Sequence, residues 1–185
     1  MTESINDARS RRVYTGRVIS LDVDEVHFPN GTVGELEIIR HPGASAIVPI
    51  LGNTSTADPE LVLIRQYRYA ASGYMYEIPA GRLEAGESPV TCAKRELAEE
   101  TGYRAERMDE LFTMFTTPGF TDERIHVFLA AGLTEGELAR EADEIMSIER
   151  VPMSRALAMI SAGEINDAKT ALAILYVAKF NVSGS

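Results

Sequence analysis

Cysteine, histidine, positive charge and long apolar runs are all scarce in this 185-residue chain, and each scarcity removes a class of function. One cysteine, Cys92, excludes an intramolecular disulfide and a cysteine-rich metal site, so a reduced, cytoplasmic protein is expected. The three histidines, His27, His41 and His126, have no paired metal-ligand spacing and read as structural or surface residues. No apolar run approaches the ~20 residues that span a bilayer; residues 171–178 are among the longest. The N-terminal Met-Thr-Glu-Ser-Ile-Asn-Asp has no basic segment leading into an apolar run, so no signal peptide is expected. Lys and Arg number 18 against 28 Asp and Glu, a formal net charge of −10. The only dense basic cluster is Arg9, Arg11 and Arg12, so nucleic acid and membrane are not expected as partners. A small anionic substrate would then need local cations or a metal. Neither a Gly-x-Ser-x-Gly elbow nor a P-loop occurs, which leaves acyl transfer and Walker-type chemistry without support.

What remains is enough for one domain with a real core: 45% hydrophobic residues in 20.3 kDa. Residues 1–10 read as a flexible tail. Residues 11–40 carry strand character, with Pro29-Asn30-Gly31 as the turn of a hairpin. Short apolar runs at 46–51, 61–64 and 74–78 predict further strands, and the polar stretch 52–59 a loop. A helix is predicted after Ser88, a good N-cap, and Pro89, suited to the first helical position; Gly102 ends it. Strands are predicted at 111–116, 125–130 and 148–151. Helices are predicted at 152–161 and 168–180, the latter with an apolar face of Ala171, Ile174, Leu175 and Ala178. Interleaved strands and helices without repeats predict an α/β or α+β fold.

The informative chemistry lies in the helix after Pro89. Glu96, Glu99 and Glu100 are related as i, i+3 and i+4 and share one face. Like charges at that spacing cost a few tenths of a kcal/mol per pair. They also sit near the helix C-terminus, where the macrodipole disfavours anions. A divalent cation reverses both penalties, because Mg²⁺ takes carboxylate and phosphate oxygens. A solvated acidic face is the competing reading, and Arg95, four residues before Glu99, softens the repulsion. Upstream, Gly81 and Gly86 bracket a tight loop that leads into the helix, and glycine lets backbone approach a ligand.

Gly81, five residues, Glu87, seven residues, Arg95-Glu96-Leu97, one residue, Glu99-Glu100, one residue, Gly102: this spacing resembles the Nudix box. The family pattern ends on an aliphatic residue where this chain has Tyr103, a departure at a packing position. The resemblance implies a Nudix fold, a mixed β-sheet sandwiched between helices, over 41–182, with the N-terminal β region of 11–40 crossing to a partner in a homodimer. It implies that Glu96 and Glu100 are the principal Mg²⁺ or Mn²⁺ ligands, with Glu99 as a further ligand or acidic helper and the carbonyl of Ala80 as another ligand. Two or three ions are implied. Glu87 is expected to orient Arg95 and the loop. Family members often take a general base from a loop outside the box; Glu144 is the first choice and Glu141 the reserve.

Three segments outside the box are similar to the ADP-ribose pyrophosphatases. Thr117-Pro118-Gly119-Phe120-Thr121-Asp122-Glu123 places Pro118 15 residues after Tyr103; a simple turn is the competing reading. Arg65-Gln66-Tyr67-Arg68 offers Arg68 and Arg65 as phosphate contacts, since the guanidinium fork matches phosphate oxygens. Tyr76-Glu77-Ile78-Pro79-Ala80-Gly81 leaves two roles open for Glu77: a contact to metal or ribose, or a strand carboxylate with a local partner. The implied reaction is cleavage of ADP-ribose to AMP and ribose 5-phosphate by metal-activated water. The rivals are hydrolysis of another nucleoside diphosphate sugar such as GDP-mannose, and a Nudix-fold sensor without hydrolysis. A sensor is expected to lose box carboxylates, and this chain keeps them all.

Overall fold

The computed structural model describes residues 9–53, 56–136 and 146–180. Two compact units emerge: one runs up to Gly43 and includes Met114–Ile125, the other holds Ala44–Thr113 and the residues from His126 on.

In the first unit, strands β1 (Ser10–Thr15), β2 (Ser20–His27) and β3 (Val33–Arg40) form an antiparallel sheet in that order. The β2–β3 hairpin turns where Pro29-Asn30-Gly31 predicts. Gly31 takes φ 82, and the Asn30 side chain accepts from the Thr32 N–H at 3.0 Å. Alternation in β2 runs against the usual sense, because Asp22 and Asp24 are buried. Guanidinium groups make this tolerable: Arg12 and Arg40 bond Asp22, and Arg40 also bonds Asp24 and Asp122. Residues 117–122 run beside β3, with the Ile39 N–H donating to the Phe120 carbonyl at 2.8 Å.

The second unit is built on a seven-stranded mixed sheet. It comprises β4 (Ala44–Leu51), β5 (Glu60–Arg68), β6 (Gly73–Glu77), β7 (Ala80–Arg82), the greater part of β8 (Tyr103–Phe115) and of β9 (Arg124–Glu135), and β10 (Met146–Pro152). The order is β10-β5-β4-β9-β8, with β6 on β5 and β7 on β4. Among the described residues three α-helices accompany it: α1 (Pro89–Thr101), α2 (Met153–Ser161) and α3 (Ala168–Phe180). Strand β4 is buried from Ala44 to Ile50, so both of its faces are covered. Ile47 and Val62 join Ala93, Leu97, Tyr103, Phe128 and Ala130 in one core cluster, the α1 side of the sheet. Their strand neighbours Val48 and Leu61 and Leu63 therefore point to the other side.

Local signals explain α1. The Ser88 Oγ accepts from the Thr91 N–H, Pro89 opens the helix, and Gly102 closes it at φ 73 with its N–H on the Ala98 carbonyl. Helix α2 has no capping side chain beside it in sequence; Asp58 supplies one from 96 residues away, accepting from the Ser154 N–H at 2.8 Å and its hydroxyl at 2.7 Å.

Three expectations change. Strand β8 is longer than predicted because it lies at the sheet edge, where Arg104, Glu106, Arg107, Asp109 and Glu110 are tolerated and interrupt the apolar pattern. Strand β7 escapes periodicity by being only three residues long. Helix α3 buries Thr170, Ala173, Ile174 and Val177, not the predicted stripe; Leu175 is exposed and only Ile174 is shared. A helix apolar nearly all round gives no phase to read.

Candidate active site

The box folds as β7, a loop and α1. Helix α1 turns Cys92, Ala93, Glu96, Leu97, Glu100 and Thr101 inward, so two carboxylates share the buried face with the apolar anchors. Both meet the same backbone. A Cβ built on Gly81 would run into the Glu96 carboxylate, so any larger residue there must push that carboxylate aside. The Ala80 N–H donates to Glu100 Oε2 at 2.9 Å. Ala80 and Gly81 thus lie against two carboxylates one helical turn apart, Ala80 bonded through its N–H and Gly81 in contact at its Cα.

Arg95 organises the acidic face. Its Nε and Nη2 donate to the two Glu87 oxygens at 3.0 Å each, a bidentate fork. Its Nη1 reaches Glu96 at 2.6 Å and Glu99 at 3.0 Å, and its Nη2 the Arg82 carbonyl at 3.1 Å. Three carboxylates share one guanidinium. The Arg95 bond holds Glu87 below the ordinary carboxylate range, and Glu87 also accepts from the Glu84 N–H across the loop. Glu99 is partly exposed while Glu96 and Glu100 are buried, so burial divides a set that the sequence leaves equivalent.

These donors fit a hard divalent cation. Buried oxygen ligands with net negative charge, next to a backbone carbonyl, are the chemistry Mg²⁺ takes. Among the described residues, no three His, Cys, Asp or Glu side chains close into a complete cage. Mg²⁺ needs none, since one or two carboxylates, waters and substrate phosphates complete its shell. Cys92 lies under the loop with its Sγ 3.5 Å from the Gly81 carbonyl, and burial pushes its thiol up to about 11, which makes it inert as a nucleophile.

A second polar cluster lies on β5, β6 and α3. Glu77 is buried and accepts Arg68 through both oxygens, at 2.7 and 2.9 Å, and Lys169 Nζ at 2.5 Å. Lys169 also bonds Asp167 at 2.9 Å, and Asp167 caps α3 through the N–H and hydroxyl of Thr170. Glu77 therefore has local partners. Burial alone would raise its pKa; Arg68 and Lys169 together outweigh this and lower it. Lys169, Asp167 and Thr170 escape sequence reading as site residues. Asp167 before the helix is legible as a cap, but nothing local points it to Glu77.

The remaining predicted residues distribute as follows. Arg65 stacks over the Tyr74 ring at 4.5 Å on the exposed β5–β6 surface. Pro118, Gly119 and Phe120 belong to the first unit, in a turn where the Phe120 N–H donates to the Thr117 carbonyl at 3.1 Å and the Phe120 ring is exposed. Glu141 and Glu144 lie outside the described residues. Tyr103, the departure from the box pattern, puts its ring in the core and its hydroxyl on Arg150, so an aromatic serves the packing role while its polar end finds a partner.

Comparison with known proteins agrees with this geometry. The NUDIX domain family matches residues 40–172. A methanol dehydrogenase activator of Bacillus methanolicus is 41% identical over 91% of this chain and 90% of its own length. An ADP-ribose pyrophosphatase of Bacillus subtilis (strain 168) is 40% identical over 90% of this chain and 88% of its own. A GDP-mannose pyrophosphatase of Escherichia coli (strain K12) is 36% identical over 76% of this chain and 80% of its own. The fold is shared with a crystal structure of an ADP compounds hydrolase, at TM-score 0.79 and 22% identity, covering 99% of this chain and 100% of that one. The chain belongs to the Nudix family.

Proposed function

We propose that this protein is a divalent-metal-dependent pyrophosphatase that splits ADP-ribose into AMP and ribose 5-phosphate. The observation that carries this reading is the placing of Glu96 and Glu100, on the buried face of α1, against the Ala80–Gly81 backbone, Glu100 accepting from the Ala80 N–H and Glu96 lying against Gly81. Glu96, Glu100 and the Ala80 carbonyl would hold two or three Mg²⁺ or Mn²⁺ ions, with Glu99 as a further ligand. When bound, such ions neutralise charge on the pyrophosphate oxygens and lower the pKa of the attacking water.

The chain's own residues supply the rest. Arg95 keeps Glu96 and Glu99 on one side of the helix by bonding both while anchored on Glu87. Arg68, oriented by Glu77, and Arg65 offer guanidinium groups to phosphate oxygens. Pro118, Gly119 and Phe120 are assigned to the nucleotide sugar on the resemblance of residues 117–123 to the ADP-ribose pyrophosphatases. Glu144, or Glu141 in its place, takes the proton from water as its oxygen attacks phosphorus. The bridging P–O bond breaks, and one phosphate leaves on each product.

Support for ADP-ribose comes from the pyrophosphatase relative at 40% identity over nine-tenths of the chain. The GDP-mannose relative favours a second reading, hydrolysis of another nucleoside diphosphate sugar by the same groups. Product analysis separates them: with Mg²⁺ or Mn²⁺, ADP-ribose is expected to yield AMP and ribose 5-phosphate faster than GDP-mannose yields its products. The reverse order overturns the substrate assignment. We also propose a cytoplasmic homodimer joined through residues 11–40.

A further inference from the structure

Among the described residues, strands β4 and β5 pair at Ile50–Leu61 and Leu51–Glu60 alone. Beyond that point β5 pairs with β6 and β4 with β7. Between β6 and β7 the chain therefore crosses from one strand's edge to the other's, through Ile78 and Pro79. A crossing inside a sheet leaves buried backbone groups without ladder partners, and such groups must find others. Here each partner comes from a different element. The Pro79 carbonyl accepts from the Ile47 N–H at 2.9 Å, and proline itself has no N–H to satisfy. The Ala80 N–H goes to Glu100 of α1. The Ile78 N–H goes to the Thr170 hydroxyl of α3 at 2.9 Å, with both residues wholly buried.

Thr170 is not placed there alone. Asp167 accepts from both its N–H, at 3.0 Å, and its hydroxyl, at 2.6 Å. The hydroxyl proton is thereby spent on Asp167, which leaves a lone pair for Ile78. The same Asp167 oxygen receives Lys169, whose ammonium group continues to Glu77, the residue before Ile78. Two consecutive residues of the crossing, Glu77 and Ile78, are thus fixed by two consecutive residues of α3, and both of those are held by one carboxylate.

We propose that the start of α3, Asp167 to Thr170, is a positioning device for the metal-binding peptide: Thr170 fixes the Ile78 backbone and Lys169 the Glu77 side chain, and together they set the direction of the Ala80 carbonyl two residues past Ile78. Thr170, Lys169 and Asp167 are positioning residues, since they act through the crossing. The inference rests on the proposed metal role of Ala80, Glu96 and Glu100. Groups that orient metal ligands in this way change metal affinity on the order of 10–100-fold when removed.

The test measures Mn²⁺ binding to the full chain by electron paramagnetic resonance of free Mn²⁺, beside thermal melting without metal. Thr170→Val keeps shape and removes the acceptor. Its Mn²⁺ dissociation constant is expected to rise roughly 10-fold or more, and the Mn²⁺ concentration for half-maximal activity to rise with it. Thr170→Ser keeps the hydroxyl and is expected to bind as wild type. Ile174→Ala, one turn beyond Thr170 on the buried face of α3 and without a hydrogen bond to the crossing to lose, is expected to lower melting temperature with Mn²⁺ affinity unchanged. Lys169→Met, which leaves the Asp167 cap of α3 in place, is expected to weaken Mn²⁺ in the same direction and decides the matter if Thr170→Val does not fold. Wild-type Mn²⁺ affinity in a folded Thr170→Val, or equal weakening in Ile174→Ala, overturns the proposal. Failure of the wild-type protein itself to bind Mn²⁺ overturns instead the metal reading beneath it, and this proposal with it.

Discussion

Gly81 and Glu96 occupy adjoining space so tightly that a single added carbon on one would fall within 1.8 Å of the carboxylate of the other. Gly81 is not among the glycines at positive φ, so the need for glycine comes from this contact and not from backbone strain. The expected consequence of Gly81→Ala is displacement of the Glu96 carboxylate from the Ala80–Gly81 peptide. Turnover is expected to fall about 100-fold or more, with a metal requirement raised on the order of 10-fold. Rates measured across a Mg²⁺ titration check this; an alanine variant with wild-type rate and metal dependence would show that Glu96 does not work from where it stands.

Glu77 offers a test by pH. Its pKa is lowered in the folded chain, because Arg68 and Lys169 outweigh the burial that acts the other way. The unfolded chain therefore binds more protons than the folded one between the lowered value and 4.5. Stability from this group is present above about 4.5 and is lost as pH falls through the folded value. Glu77→Gln leaves two cations facing a neutral amide. It is expected to cost about 3 kcal/mol near pH 7, as breaking a buried pair from one side does. The variant's stability is expected to fall less steeply on acidification. Urea unfolding at several pH values reads both; equal pH slopes in the two proteins would contradict the assignment.

The sequence shows what is local and hides what is not. Helix α1 is legible at both ends because Ser88, Pro89 and Gly102 act within a few residues. The acidic face is legible because helical geometry alone aligns Glu96, Glu99 and Glu100. That Glu99 is the exposed member depends on where β7 lies, and β7 is too short to announce itself. Lys169 meets Glu77 across 92 residues, and no periodicity encodes that distance. The stripe predicted on α3 is out of phase for the same reason: tertiary packing, not the helix's own pattern, selects which apolar residues face inward.

Arg95→Lys isolates geometry from charge. Lysine keeps one positive charge but cannot give Glu87 a two-point fork while also reaching Glu96 and Glu99. Apo stability is expected to fall by about 1–2 kcal/mol as charged hydrogen bonds are lost, and kcat to fall on the order of 10-fold. Thermal melting and steady-state kinetics check this. A lysine variant equal to wild type in both would leave Arg95 with no more than a charge-balancing role.

The last comparison sets a metal ligand against a base. Glu100→Gln keeps a carbonyl oxygen able to accept from the Ala80 N–H, so the bond at 2.9 Å has a successor. It also relieves the i, i+4 repulsion with Glu96, worth a few tenths of a kcal/mol. The protein without metal is therefore expected to melt within a few degrees of wild type. Mg²⁺ is expected to raise its melting temperature less than it does for wild type, since binding to the folded state alone stabilises by mass action. Turnover is expected to fall by several orders of magnitude, on the order of 10³-fold. Glu144→Gln is expected to do the opposite with metal: Mg²⁺ stabilisation is kept, while the rate falls ~10²–10⁴-fold as for loss of a general base. Melting of both variants with and without Mg²⁺, beside steady-state rates, gives four readings that must agree. Near-wild-type turnover in Glu144→Gln moves the base to Glu141. Full activity in Glu100→Gln removes the metal assignment, because no pyrophosphatase built on this peptide could lose the carboxylate that holds Ala80 and keep its rate.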